Sequence, residues 1–166
     1  LTGVATWLAR TARQADALNI AGAVVTAALA LALAGIAVAD PARPHHGAWW
    51  VLDAAGGVFL AVIAVVGLMS ALVAPAQLSS SGRGLVRAAR GRAMYYAAFH
   101  AFWAALIAVP LVDNLGIAWL LVEATTGASA LLVAYSGTRG ALEAGWKYLV
   151  LTTFGLAVAM LGIIVL

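Results

Sequence analysis

The sequence predicts an all-α, polytopic membrane helix bundle with about five full transmembrane helices and a partial first one. The 166 residues are 65% hydrophobic and only 9% charged, with a mean hydropathy of +1.04, whereas soluble domains are about 25% charged. Several apolar runs reach the ~20 residues that a helix needs to cross a bilayer core of ~30 Å. They lack the alternation of β-barrel strands, and a helix satisfies its own backbone groups in lipid.

Six apolar segments follow one another along the chain, which we treat as one transmembrane domain over 1–166. A partial span at 1–9 precedes full spans, which we expect at 17–39, 53–78, 94–112, 115–135 and 141–165. The run ADPARPHHGAWW ends the first full span, because its prolines and polar residues oppose a helix in lipid. The chain opens on what resembles the last turns of a helix and closes on GIIVL. We therefore expect it to be a fragment of a longer membrane protein.

Basic residues are concentrated beside the loops that follow the first, third and fifth apolar segments. These residues are Arg10, Arg13, Arg83, Arg87, Arg90, Arg92 and Arg139. Arg43 falls on the other side. The positive-inside rule then predicts cytoplasmic loops at 10–15, 79–92 and 136–140, with the loops 40–50 and 112–114 outside. The arginines of 83–92 are most simply topology signals, and docking to anionic lipid or a partner is the alternative.

Glu123 is the most informative single residue, because it lies eight residues into an apolar span. That spacing places it about 12 Å deep, near the middle of the core. A charge at that depth costs roughly 2.5–3.5 kcal/mol on insertion scales, so a proton-accepting carboxylate inside the bundle is the functional interpretation. The alternative is a structural ion pair or a hydrogen bond between helices. The nearby small residues, Gly127 and Ala130, would allow a partner helix to approach closely.

Lys147 lies four residues after Glu143, a spacing that stabilises a helix through an ion pair. Glu143 is thus its potential pair partner, and one interpretation is a lysine that reaches towards the interface. The other is a lysine tuned by burial and by Glu123 for proton transfer. Since the two charges differ in depth by roughly 10 Å, we expect water to link them rather than direct contact.

Other polar residues carry weaker signals. His100 lies in the middle of the fourth segment, where it could relay protons or be a satisfied core histidine. Asp53 and Asp113 fall at outer ends of spans, as solvated edges or helix caps. His45 and His46 are adjacent in a loop and cannot complete a metal site alone.

Several classes of function are not supported. The chain has no cysteine, which excludes disulfides and thiolate-bound metals. It has no nucleotide-binding glycine motif and no nucleophile with a paired base, so we expect no catalytic residues, cofactor or metal in it. The excess of basic residues lies in loops, where it determines the topology of the chain in the membrane. It therefore does not indicate that the protein binds nucleic acid.

Three stretches resemble the antiporter-like membrane subunits of respiratory complex I, Mrp-type antiporters and energy-converting hydrogenases, with hydrogenase-4 component F nearest. They are WVLDAAGGVFL at 50–60, MYYAAFHAFWAALIAVPLVDNLGIAWLLVEATTGAS at 94–129 and RGALEAGWKYLVL at 139–151. Together they cover about half of the chain. In this resemblance Glu123 matches the family's fifth-helix glutamate and Lys147 its sixth-helix lysine, while His100 has no firm counterpart.

The resemblance implies a proton-translocating subunit, embedded in the bacterial inner membrane with other membrane subunits of a respiratory or hydrogenase complex. It implies proton movement along a relay of buried Glu and Lys, and about six of the family's fourteen helices. The chain would be part of an oxidoreductase assembly without holding its catalytic centre. Two alternatives remain: a non-conducting membrane anchor or assembly subunit, and a stand-alone cation/proton antiporter.

Overall fold

Five long helices make up most of the part of the protein that the structure describes. The computed structural model describes residues 11–80 and 89–165; the partial span at 1–9 and the arginines at 10, 83 and 87 lie outside them. The helices are α1 (Ala12–Ala39), α2 (Ala54–Ser80), α3 (Ala89–Ala108), α4 (Leu115–Ala134) and α5 (Arg139–Val165). All five are long and apolar enough to cross a membrane. The predicted all-α polytopic bundle is confirmed, and the chain is an integral membrane protein.

Two helices begin earlier than the hydropathy of the sequence suggests. α1 starts at Ala12 instead of residue 17, and a capping box fixes that start: Thr11 and Gln14 each accept the other's backbone N–H through their side chains, both at 3.2 Å. This arrangement satisfies donors that a helix N-terminus leaves free. α3 starts at Ala89 instead of residue 94. The helices therefore include Arg13, Arg90 and Arg92, which we had assigned to loops.

At the end of the bundle opposite to the starts of α1 and α3 lies a small β-hairpin that the sequence did not predict. Strand β1 (His45–His46) pairs antiparallel with β2 (Val51–Leu52). An isolated bridge joins Trp50 to Val112, just after a 3-10 turn over Val109–Leu111 that has proline near its start. We call this the hairpin end, and the end where α1 begins and α4 finishes the arginine-rich end.

Small residues let the helices approach one another closely. α1 buries a row of alanines on one face, and Ala34 and Ala37 lie against α2 where Gly57 leaves room: a Cβ added to Gly57 would be 2.8 Å from Ala37 Cβ. Gly67 of α2 makes space for Trp103 of α3, whose indole is 2% exposed and donates to the Ile63 carbonyl at 3.0 Å. Close packing of this kind replaces the hydrophobic driving force that helices lack in lipid.

α5 is attached to the bundle mainly through α4. Gly145 is its one buried residue, and a Cβ there would be 2.9 Å from Ala134 Cβ and 3.3 Å from the Ala130 carbonyl oxygen. Gly127, which we expected at the close contact, would meet nothing within 4 Å. The close backbone contact at Gly145 thus lies nearer the arginine-rich end and uses a glycine of α5.

Candidate functional site

Glu123 lies at the interface of α4 and α5, roughly 12 Å along α4 from its start at Leu115. Its Oε1 accepts a hydrogen bond of 2.7 Å from the hydroxyl of Thr153 on α5. Its Oε2 is buried and has no hydrogen-bond partner among the described residues. The side chain is thus held between two helices with one oxygen fixed and one oxygen free.

Two further contacts fix the geometry around this carboxyl group. Trp119, one turn before Glu123, donates from Nε1 to the Leu156 carbonyl of α5 at 2.7 Å. Towards the arginine-rich end, Ser129 and Tyr148 share a hydrogen bond of 3.0 Å between their hydroxyls. These contacts lie on either side of the Glu123–Thr153 bond along the two helices, so they set the register in which that bond forms.

The hydroxyls closest in sequence to Glu123 do not bind it. Thr125 and Thr126 are buried, but both donate to the carbonyl of Val122 in their own helix, at 2.7 and 3.1 Å. Threonine often bonds in this way inside a helix. The hydroxyl that binds Glu123 is instead that of Thr153, which is 30 residues away along the chain.

Lys147 does not contact Glu123 in the described part of the chain. Its Nζ donates to Glu143 Oε1 at 2.5 Å, and its side chain is 55% exposed. Thr153, which marks the level of Glu123 on α5, is six residues further along, or roughly 9 Å. Six residues also correspond to about 240° of helix rotation, so Lys147 points to another face. The pair with Glu143 that the i,i+4 spacing suggested is therefore present.

His100 is buried at a different interface. It lies on α3 with 7% of its surface exposed, beside the backbone of Asn19 on α1, and its Nε2 has no partner in the described residues. No hydrogen bond or ion pair of that part of the chain joins it to Glu123 or Lys147. The structure therefore separates the three sequence-predicted proton-transfer residues into three locations.

The remaining candidates lie at the hairpin end. Asp53 caps α2, since its Oδ1 accepts from the Gly56 N–H at 2.6 Å. Asp113 is exposed, and its N–H donates to the Trp49 carbonyl at 3.3 Å. His45 and His46 are exposed in β1. Within the described ranges no group of three or more His, Cys, Asp or Glu could hold a metal ion.

A buried ion pair at the arginine-rich end was missed by the sequence reasoning. Arg92 of α3 donates to both carboxylate oxygens of Asp16 on α1, at 2.8 and 2.5 Å, and to Ser79 Oγ of α2 at 2.8 Å. Tyr96 completes this Asp16 cluster by donating to Asp16 Oδ1 at 2.6 Å. Two features of the sequence could have indicated this ion pair. Asp16 lies beside the row of alanines that α1 buries, and Arg92 lies one turn before Tyr96 on α3.

Tyr135, which follows the last turn of α4, connects α4 to α3 at the arginine-rich end. The Tyr135 hydroxyl donates to the Gly91 carbonyl at 2.7 Å, and its ring meets that of Tyr95 edge-on with centroids 5.0 Å apart. Burial raises the pKa of Tyr135 above its usual value. The hydroxyl therefore keeps its proton and remains a donor.

Comparison with known proteins gives a partial match. A stretch of 50 residues, 30% of this chain, is 38% identical to a hydrogenase-4 component F homolog from Methylacidiphilum infernorum (isolate V4), of which it covers 10%. The matched stretch therefore spans about a tenth of the length of that relative. No protein-family model matches the chain, and no solved structure matches it.

Proposed function

We propose that this chain is part of a proton-translocating membrane subunit of a hydrogenase-4-like or complex I-like oxidoreductase assembly, with Glu123 as the group that takes up and releases the proton. The observation that carries the proposal is the setting of Glu123: an ionisable group in the middle of an apolar helix, with one oxygen bonded and the other enclosed but free. Ionisable residues in such positions are usually functional. The partial similarity to a hydrogenase component homolog supports the type of assembly.

The geometry suits a two-state carboxyl group. In the anionic state, Oε1 is stabilised by the hydroxyl proton of Thr153, because a hydrogen bond to the charged form favours that form. In the neutral state, the added proton sits on Oε2, the oxygen that lacks a partner among the described residues. Since a lone anion is costly in an apolar interior, proton arrival at Oε2 removes most of that cost. Glu123 can therefore alternate between two protonation states without a large rearrangement.

Lys147 would act as a second charge in the proposed relay. In the described residues it is paired with Glu143, so its exchange with Glu123 would run through water across roughly 9 Å of α5. The proposed orientation places the arginine-rich end, and with it Lys147, on the cytoplasmic side. Other membrane subunits of the assembly would be its partners.

Replacing Glu123 with glutamine is expected to abolish coupled proton uptake while electron transfer and assembly persist, because the amide keeps the shape but cannot carry a proton through two states. The measurement is quenching of a pH-sensitive dye in membrane vesicles that contain the whole oxidoreductase assembly. Subunit content is checked in the same vesicles by native electrophoresis. Wild-type proton uptake by the glutamine variant would contradict the proposal and would favour a membrane anchor. Proton-coupled cation transport by the purified chain in liposomes would favour a stand-alone antiporter.

The neighbouring threonines of α5 give a matched pair of variants. Thr153→Val removes the hydroxyl that donates to Glu123 and is expected to slow proton uptake by about tenfold, if the bond contributes ~1.4 kcal/mol. Thr152→Val removes a hydroxyl whose hydrogen bonds, within residues 11–80 and 89–165, go to the Tyr148 and Leu149 carbonyls of its own helix. It should leave the rate unchanged. Equal rates for the two valine variants would show that the hydroxyl of Thr153 has no role in proton transfer.

A further inference from the structure

A proline lies inside α2, near the arginine-rich end. Pro75 has no backbone N–H, so it leaves the carbonyl of Ala71, four residues earlier, without its usual donor. Ala71 is completely buried, and a buried polar group without a partner is costly. Membrane helices tolerate such a proline where a neighbouring helix supplies the missing donor. α1 supplies it here, because Asn19 is also completely buried and its Nδ2 donates to the Ala71 carbonyl at 3.0 Å.

The proline divides α2 into two segments that are held in different ways. Before Pro75, the backbone of α2 is bound by Asn19 of α1. After Pro75 comes the terminal turn, residues 76–80, where Arg92 of α3 donates to Ser79 Oγ at 2.8 Å. The Ser79 hydroxyl in turn donates to the Pro75 carbonyl at 2.7 Å, a kind of bond that often bends a helix. Since proline is also a common cause of helix kinks, α2 is weakest as a rod between its two attachments.

The apolar contacts of the terminal turn do not fix its direction. Leu78 is buried in a cluster with Ala15 of α1 and Tyr96 of α3. Burial of apolar surface is non-directional, and lipid tails are as apolar as a leucine side chain, so Leu78 loses little when it moves into lipid. The directional contact between the terminal turn and another helix is therefore the Arg92–Ser79 hydrogen bond.

Arg92 uses different nitrogen atoms for its two partners on α1 and α2. Nη1 binds both carboxylate oxygens of Asp16, at 2.8 and 2.5 Å, and Nη2 binds Ser79. The hydroxyl of Tyr96 also donates to Asp16, at 2.6 Å. The bond to Ser79 can therefore break while the ion pair that joins α1 to α3 remains in place.

We propose that Pro75 is a hinge in α2 and that the Arg92–Ser79 hydrogen bond holds the terminal turn in a closed position. When this bond breaks, the terminal turn rotates about Pro75. Asn19 then keeps the rest of α2 on α1, and the Asp16–Arg92 pair keeps α1 on α3. One end of α2 can thus move without unfolding the bundle, which goes beyond the proton-transfer role proposed for Glu123.

The test measures distances between two spin labels on the whole chain in lipid nanodiscs, by pulsed electron paramagnetic resonance. The chain has no cysteine, so introduced cysteines are labelled specifically. Ala17→Cys on α1 is combined either with Ala76→Cys, after the hinge, or with Leu72→Cys, before it. All three positions are exposed. In the otherwise unaltered chain, we expect one narrow distance distribution for each pair.

Ser79→Ala removes the partner of Arg92 on the terminal turn. It is expected to raise the ratio of open to closed states by about tenfold, because a hydrogen bond to a charged group is lost. The pair that includes Ala76→Cys should then show a second distance, whereas the pair that includes Leu72→Cys should not. Pro75→Ala returns an N–H to α2 and should suppress the second distance in the presence of Ser79→Ala.

Ser70→Ala is the matched control. The Ser70 hydroxyl also donates to a carbonyl four residues earlier in α2, that of Val66 at 2.9 Å. Among residues 11–80 and 89–165, however, this hydroxyl has no hydrogen bond to another helix. The control variant should therefore keep one narrow distribution for both label pairs, and a second distance in it would contradict the role assigned to Ser79.

Two other outcomes would overturn the proposal. A single distance for the Ala76 label pair in the Ser79→Ala variant would show that Arg92 does not hold the terminal turn. A second distance that persists when Pro75→Ala is added would show that the proline is not the hinge. If the variant with Pro75→Ala does not fold, a second distance at Leu72 as well as at Ala76 decides against the hinge. Glu123 is unaltered and no proton transport is measured, so the result does not depend on the proposed function.

Discussion

Replacing Arg92 with alanine is expected to lower the free energy of unfolding by about 3–5 kcal/mol, the range for removing one partner of a buried ion pair. The Arg92 side chain is 8% exposed and binds both oxygens of Asp16 as well as Ser79. The alanine variant would leave the Asp16 carboxylate partly buried, with the Tyr96 hydroxyl as its remaining partner in this cluster. Because the cluster joins α1, α2 and α3, its loss weakens three helix contacts together.

The measurement is unfolding by SDS titration in mixed micelles, followed by circular dichroism. Arg43→Ala is the matched control, since Arg43 lies 3.9 Å from Asp40 in a pair whose arginine side chain is 86% exposed. Exposed pairs contribute little to stability, so this variant should unfold like the unaltered chain. Similar stability of the two alanine variants would mean that the Asp16–Arg92 pair does not hold the three helices together.

Replacing Gly67 with valine is expected to cost about 2–4 kcal/mol, the sum of overpacking and of a lost hydrogen bond. A Cβ at position 67 would overlap the indole of Trp103, with even Cζ2 only 2.6 Å away. The ring would have to leave its buried position and give up its bond to the Ile63 carbonyl. Since the same ring packs with Phe99 and the alanines of α1, the contact between α1, α2 and α3 would loosen.

Thermal unfolding in detergent, compared with Gly127→Ala, separates this clash from a general effect of altering a helical glycine. A Cβ at Gly127 meets nothing within 4 Å, and alanine is favoured over glycine in a helix by about 1 kcal/mol. The control should therefore be neutral or slightly stabilised. A combined Gly67→Val and Trp103→Leu variant should lose less stability than the two single changes add up to. Strict additivity would show that the glycine and the indole do not interact.

The hydropathy of the chain predicted much of the fold, and the positions of individual residues indicated part of the candidate site. Apolar runs long enough to cross a bilayer predicted a polytopic helix bundle, and the depth of Glu123 within one run marked it as unusual. The i,i+4 spacing predicted the Glu143–Lys147 pair, which the structure contains. These features are local: each depends on residues within one segment, so each can be derived without knowing how the segments pack.

Which side chains meet across helices was decided by the tertiary structure alone. Asp16 and Arg92 are 76 residues apart, Glu123 and Thr153 are 30 apart, and Asn19 binds a carbonyl that Pro75 leaves free on another helix. The five helices are apolar on nearly every side, so periodicity does not indicate which face packs inward. Polar residues that hydropathy assigns to loops can then lie inside the bundle, provided that a distant partner satisfies them. The sequence by itself determined that this is a membrane helix bundle with a costly charge at Glu123; only the packing decided which groups surround that charge.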